Sequence, residues 1–244
     1  DGSVISPRSA LASRRVYPEI LDELPETDPR AVASRNDLGR LNVLMLQHRI
    51  MIGLLRAHCA VPPRRILEIG SGDGRFMLTL AGRLAKIWPA VEIVLLDRQS
   101  LVTQGRIDAF RDLGWSASIV ECDVFEWAAS CARERFDAIT ANLFLHHFEN
   151  PDLKRLFERM APMAPVFLAT EPLRAGFPLL MSRMLRVIGA NDVTRHDAPA
   201  SVRAGFKNRE LSELWPAAGN TILEERRRGL FTHAFAAVNG ERHP

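Results

Sequence analysis

Two apolar periods run along this chain. Between Asp37 and Cys59, Leu38, Leu41, Leu44, Met45, Ile52 and Leu55 recur at steps of three and four. That spacing predicts one amphipathic helix, capped by Asn36 or Asp37 and stopped by Pro62-Pro63. Short apolar runs then predict strands at 65–69, 91–96, 117–121, 136–141 and 165–170. Helical patterns at 75–87, 99–113, 125–133 and 151–160 separate them. Strand and helix alternating in this way predict a parallel sheet covered on both faces. After Glu171-Pro172 the rhythm breaks into an amphipathic stretch and a polar, Asp-, Ala- and Arg-containing loop over 173–206. A helix at 209–218, ended by Gly219, precedes strands at 221–226 and 231–238. Their link is too short for a crossover, so they pair antiparallel. Pro7, Pro18, Pro25 and Pro29 make residues 1–30 an irregular arm. The expected fold is α/β: a doubly wound, mostly parallel seven-stranded sheet with a final antiparallel strand, an N-terminal helical extension and a helical lid insertion. Residues 1–60 form the arm and a helix over the cleft, and residues 61–244 the main domain, with the lid at about 173–206.

Composition narrows the function. The 244 residues are 47% hydrophobic and 25% charged, with a formal net charge of +3. Disorder, collagen-like repeats and a disulfide scaffold are excluded. Only Lys86, Lys154 and Lys207 among the 32 basic residues are lysine, and the densest basic run, Arg226 to Arg228, is short. No basic face or aromatic platform points to nucleic acid as a partner. Cys59, Cys122 and Cys131 show no C-x-x-C spacing, which speaks against a structural metal site and for a reducing compartment. No apolar run reaches membrane-span length, and Arg8, Arg14 and Arg15 are followed by no secretory apolar stretch. A cytoplasmic enzyme is expected.

The richest chemistry follows the first predicted strand. Ile66 to Gly74 reads Ile-Leu-Glu-Ile-Gly-Ser-Gly-Asp-Gly. Glycines there permit a tight turn and close backbone approach to a ligand at the carboxyl end of the sheet. The spacing is G-x-G-x-G, and Arg75 stands where a dinucleotide fingerprint has its third glycine. Glu68 precedes the first glycine by two positions, which suits a cation rather than a pyrophosphate. The second strand ends at Asp97-Arg98, where an acid can accept ribose hydroxyls. The third ends at Cys122-Asp123-Val124, with a carboxylate for an exocyclic amine and a backbone N–H beside it.

LEIGSGDG, then Asp97, then CDV, then FDAITANLFLHHF resembles the class I S-adenosylmethionine-dependent methyltransferases over residues 60–172. The resemblance implies S-adenosyl-L-methionine as cofactor. Glu68, Gly70, Ser71 and Gly72 would hold its methionine end. Asp97 and Arg98 would lie at the ribose, Asp123 and Val124 at adenine, and Asn142 near the sulfonium.

The acceptor side follows the fourth strand. Asn142-Leu143-Phe144-Leu145 replaces the Asn-Pro-Pro-aromatic sequence of methyltransferases acting on base or glutamine amino groups. His146 and His147 sit where an acceptor would lie, and a neutral imidazole suits removal of a phenol proton. Glu171, ending the fifth strand, is placed to orient one of them. As metal ligands the two histidines are weak, with no third ligand evident. Phe177, Leu179, Leu180, Met181, Met184, Leu185 and Ile188, with Arg195-His196-Asp197 and Arg203, form a greasy lid or a homodimer contact. Residues Arg40 and Asn42 are expected to face the cleft. The stretch RHDAPASVRAGF resembles a small-molecule methyltransferase subgroup of aromatic polyketide pathways, hence of secondary metabolism. The leading reading is O-methylation of a phenolic or polyketide-like small molecule with a histidine base. C-methylation of a quinone-type ring and carboxyl methylation stand behind it. An RNA methyltransferase and a non-catalytic cofactor-binding module are further alternatives.

Overall fold

The structure, a computed structural model, describes residues 11–186, 189–217 and 220–240. The first ten residues, Ile188 of the expected lid and Ala218-Gly219 at the end of the expected helix lie outside them.

Seven strands form one sheet: β1 (Arg65–Ile69), β2 (Glu92–Asp97), β3 (Ser116–Glu121), β4 (Ala138–Asn142), β5 (Val166–Pro172), β6 (Thr221–Arg228) and β7 (Thr232–Asn239). Their order is β3-β2-β1-β4-β5-β7-β6. β7 pairs antiparallel with both β5 and β6, and the pairs among β1 to β5 are parallel. The doubly wound sheet with its late antiparallel strand is as the sequence predicts. The order reverses between β1 and β4, so a crevice opens beyond the carboxyl ends of those two strands.

Ten described helices surround it: α1 (Ile20–Glu23), α2 (Pro29–Leu44), α3 (Gln47–His58), α4 (Arg75–Leu84), α5 (Gln104–Asp112), α6 (Val124–Ser130), α7 (Asn150–Met160), α8 (Gly176–Arg183), α9 (Asp192–Ala204) and α10 (Glu210–Leu214). Alternate β1 side chains enter different layers. Leu67 and Ile69 pack with α6, α7 and Trp215. Ile66 packs with α3, α4 and Phe110. Strands buried on both faces carry apolar residues throughout. Glu68 breaks that rule, being 2% exposed in the middle of such a strand.

Two helical expectations need correction. The helix expected from Asp37 to Cys59 is two helices. The first starts at Pro29 with Asp28 as its N-cap, whose side chain accepts from the Arg30 N–H. It ends at Met45, where Leu46 takes a left-handed φ of 59°. The Thr232 hydroxyl, from β7, donates to the Met45 carbonyl at 3.1 Å and satisfies the broken end. α2 thereby leaves the sheet and leans over the crevice, while α3 packs on β5 and β7. The polar loop expected before Phe206 is helix α9. Asn191 caps it by accepting from Val193 N–H at 2.7 Å, and Pro199 sits within it. The arm also carries order beyond expectation, in α1.

The largest apolar cluster centres on Phe157, fully buried against Phe167, Trp215 and Phe235. Phe157→Ala leaves a cavity under β5 and should destabilise the protein by about 3–5 kcal/mol. Urea unfolding would show this as a lowered midpoint at unchanged slope.

Candidate active site

The turn after β1 is built for close approach. Gly70, Gly72 and Gly74 have φ of 68°, 52° and 73°, a region L side chains rarely adopt. A Cβ on Gly70 would lie 2.1 Å from the Phe144 ring, whereas one on Gly72 meets nothing within 4 Å. The first glycine is thus needed for packing and the second leaves backbone open to a ligand. Gly70 and Ser71 N–H groups donate to Leu96 carbonyl at 2.9 and 3.1 Å, tying the turn to the end of β2. Asp97 completes the tie: its Oδ2 accepts from Gly72 N–H at 2.8 Å and its Oδ1 from Gln99 N–H at 3.1 Å.

Glu68, Gly70, Ser71, Gly72, Asp97, Arg98, Asp123, Val124, Asn142, His146 and His147 all line one cavity of about 1170 Å³. Glu171 does not. Asp123 also caps α6, its Oδ1 accepting from Phe125 N–H at 2.8 Å. Asn142 is held from both sides. Thr170 Oγ1 donates to its Oδ1 at 2.9 Å, and its amide donates to Asn42 Oδ1 at 3.0 Å. Asn42 and Arg40 of α2 both face the cavity. Burial pushes the Glu68 carboxyl up to about 7, against the opposing hydrogen bond from Thr140. A buried acid half-ionised at neutral pH is a receptor for a cation.

Glu171 lies fully buried behind the 3-10 turn Leu145–His147. Its Oε1 accepts from the backbone N–H of Phe144 at 3.0 Å and Leu145 at 2.8 Å. Its Oε2 accepts from His146 Nδ1 at 2.7 Å. Glu171 therefore orients His146 and touches nothing in the cavity. The other His146 nitrogen, Nε2, is 3.5 Å from Glu19 Oε1. Burial would lower this imidazole's pKa, but hydrogen bonds and negative charge from Glu171 and Glu19 outweigh it and push it up to about 10. His146 is thus an imidazolium with neither nitrogen free. His147, its ring centroid 4.3 Å away and tilted by 33°, faces Asp22 Oδ2 through Nδ1 at 3.2 Å.

Glu19 and Asp22 are the site residues that sequence reasoning missed, because nothing in the arm's pattern assigns it to a partner. The structure pins it firmly. Asp197 of α9 accepts from the Ile20 and Leu21 N–H groups, each at 3.0 Å, at the start of α1. Arg14 donates to the carbonyls of Ala204 at 3.1 Å and of Phe148, and to Asn150 Oδ1 at 3.2 Å. The 173–206 segment contributes less of its apolar surface than expected. Met181, Met184 and Leu185 reach the cavity, with Asp197. Phe177 and Leu180 are about half exposed outside it, and Leu179, Arg195, His196 and Arg203 are also absent from its wall.

Residues 66–164 match a family model described as a methyltransferase domain. A segment of 93 residues is 28% identical to a protein of Salinispora arenicola described as a probable nonribosomal peptide synthetase, CymA, covering 38% of this chain. The chain spans only 1% of that protein's length. An O-methyltransferase family protein from Burkholderia thailandensis superposes with a TM-score of 0.60 at 15% identity, over 97% of this chain and 68% of that one. Human N-acetylserotonin methyltransferase, solved with S-adenosylmethionine, gives a TM-score of 0.53 at 14% identity, over 96% of this chain and 65% of that one. These likenesses establish the fold.

The donor set fits S-adenosylmethionine on this structure's own terms. Glu68 matches an ammonium, Asp97 matches vicinal hydroxyls, and the buried Ser71 hydroxyl has no hydrogen-bond partner among the described residues. A ligand ammonium held on Glu68 requires that carboxyl ionised. A carboxyl near 7 is ~10% ionised at about pH 6 and ~90% at about pH 8, so S-adenosylhomocysteine affinity should rise about tenfold across that span. Calorimetric titration would reveal it, and Glu68→Gln should weaken binding and flatten the profile. Gly70→Ala should displace Phe144 and weaken the same affinity by about tenfold or more, since an L residue at positive φ adds strain to the clash.

Residues 66–164 thus carry the match to a methyltransferase domain, and the doubly wound sheet around them holds a cleft whose acids and glycines suit a cationic nucleoside.

Proposed function

We propose that the chain transfers a methyl group from S-adenosylmethionine to the hydroxyl oxygen of a phenolic, polyketide-like small molecule, with His147 as the base. One observation carries the reading: the glycine-and-carboxylate lip and His147 share a single large cavity that Leu41, Met45, Met181 and Met184 also line. Apolar, Met-containing walls suit a flat, greasy acceptor. The names of the Burkholderia and human neighbours, both methyltransferases, favour the same chemistry.

Bound S-adenosylmethionine would supply an electrophilic methyl carbon, which leaves its sulfur as it joins the acceptor oxygen. The residues must therefore align two molecules and take one proton. In this reading Glu68, Ser71 and Gly72 hold the amino-acid end, Asp97 and Arg98 flank the ribose, and Asp123 and Val124 meet the adenine. Asn142, fixed by Thr170 and Asn42, would lie near the sulfonium. His147 takes the hydroxyl proton, and Asp22 holds its Nδ1–H so that Nε2 faces the acceptor. His146 cannot share this task because carboxylates face both its nitrogens. Glu171 acts as a positioning residue. The arm with α1 and α2, and α8 with α9, form the lid that excludes water.

A screen of phenolic acceptors with methyl-labelled cofactor tests the reading. Label should pass to a phenol oxygen, and an acceptor set that stays unlabelled despite tight S-adenosylhomocysteine binding would refute the acceptor class. His147→Ala should lower kcat by about 10²–10⁴-fold while leaving S-adenosylhomocysteine affinity intact. Asp97→Ala should do the reverse, weakening that affinity by about 10-fold or more through loss of charge-assisted hydrogen bonds.

A further inference from the structure

Glu19, His146 and His147 come from segments more than a hundred residues apart in the sequence, yet their ligand atoms lie within 4.8 Å of one another. Glu19 Oε1 and His146 Nε2 are 3.5 Å apart. Two ligand atoms on one tetrahedral ion, bonded at about 2.1 Å each, stand about 3.4 Å apart. The far side of each imidazole is already braced by a carboxylate. Nδ1 of His146 is 2.7 Å from Glu171, and Nδ1 of His147 is 3.2 Å from Asp22. Metal-ligating histidines are held in this way, because an anchored Nδ1–H fixes the ring and makes Nε2 a better donor. The three side chains also differ in exposure as an open site requires. Those of His146 and Glu19 are 4% and 12% exposed, while that of His147 is 24% exposed and lines the cavity.

We propose that Glu19, His146 and His147 bind a divalent transition-metal ion of the zinc class, with an open coordination position toward the cavity. Two imidazole nitrogens and one carboxylate oxygen favour zinc, cobalt or nickel over magnesium or calcium. The ion takes the place of the proton that His146 shares with Glu19. His147 closes the remaining distance by a small ring movement. Because Glu19 belongs to the arm, the ion fastens the arm to the 3-10 turn. It also occupies the Nε2 lone pair of His147, so bound metal inhibits proton removal. That last consequence alone rests on the proposed methyl transfer.

Zinc binding to the full chain, read by competition with a chromophoric chelator, tests the site. One equivalent should bind, and zinc should raise the thermal midpoint. Glu19→Gln and His147→Ala should each weaken binding at least about tenfold. His196→Ala, altering an exposed histidine outside the cavity, should not. S-Adenosylhomocysteine binding by the same samples reports that each variant is folded and keeps the methyltransferase reading separate from this one. Zinc affinity unchanged in both site variants would overturn the proposal, as would no binding in the micromolar range by a chain that still binds S-adenosylhomocysteine.

Discussion

The carboxylate of Glu171 is the constraint on which the acceptor side of the cavity depends. It ends a strand buried on both faces, where no water can solvate it. A buried charge survives only if fully paired. Here its partners are the backbone N–H groups that open the turn after β4 and the Nδ1–H of His146. One group thereby shapes the turn, sets the ring plane of His146 and keeps that ring charged. The positive ring then attracts Glu19, and the arm that carries Glu19 covers the cavity. Sheet, turn and arm are thus linked by a chain of opposite charges that adds to the apolar packing of Leu145 and to the hydrogen bonds of Arg14 and Asp197.

The cofactor side is organised by a different tension. Glu68 occupies a strand position that an apolar residue would fill more cheaply, and Thr140 is its only hydrogen-bond partner among the described residues. One neutral hydroxyl does not offset the loss of water around a full charge. The raised pKa is the visible sign of that deficit. A cationic ligand removes it, so the free energy withheld in the unliganded protein becomes available on binding. Asp97 differs, since two backbone N–H groups already satisfy it. Its role in the unliganded protein is to hold the glycine turn against β2. Each of its oxygens still has a lone pair for a hydroxyl.

How much of this was legible in the sequence depends on the range of the interaction. β1 to β5, the glycine turn and the acids at the strand ends are local in pattern and could be read directly. The break at Leu46 could not. No glycine or proline marks it, and the Met45 carbonyl it frees is met by a hydroxyl on Thr232, 187 positions further on. Helix α9 was hidden by Pro199 and by charges that serve as tertiary anchors, Asp197 above all. Its polarity looks like a loop because its partner is the backbone of another segment, not the core. Glu19 and Asp22 were hidden for the same reason: an acid in a proline-rich arm carries no periodic signal.

The two adjacent histidines show why identical neighbours acquire different chemistry. From sequence they are interchangeable. In the structure the first ring turns inward, where a buried carboxylate on one side and Glu19 on the other leave it no free nitrogen. The second ring is more exposed, with Asp22 at its Nδ1 and Glu19 nearby, and it lines the cavity. Environment, not residue type, thus separates a structural cation from a candidate base. In the proposed reaction the same logic makes the arm part of the machinery. Without Glu19 and Asp22 the inner ring loses one of its two counter-charges and the outer ring loses its orientation. A chain lacking residues 11–23 would keep the sheet and the glycine turn yet have an acceptor site of different charge, so cofactor binding and turnover should part company in it.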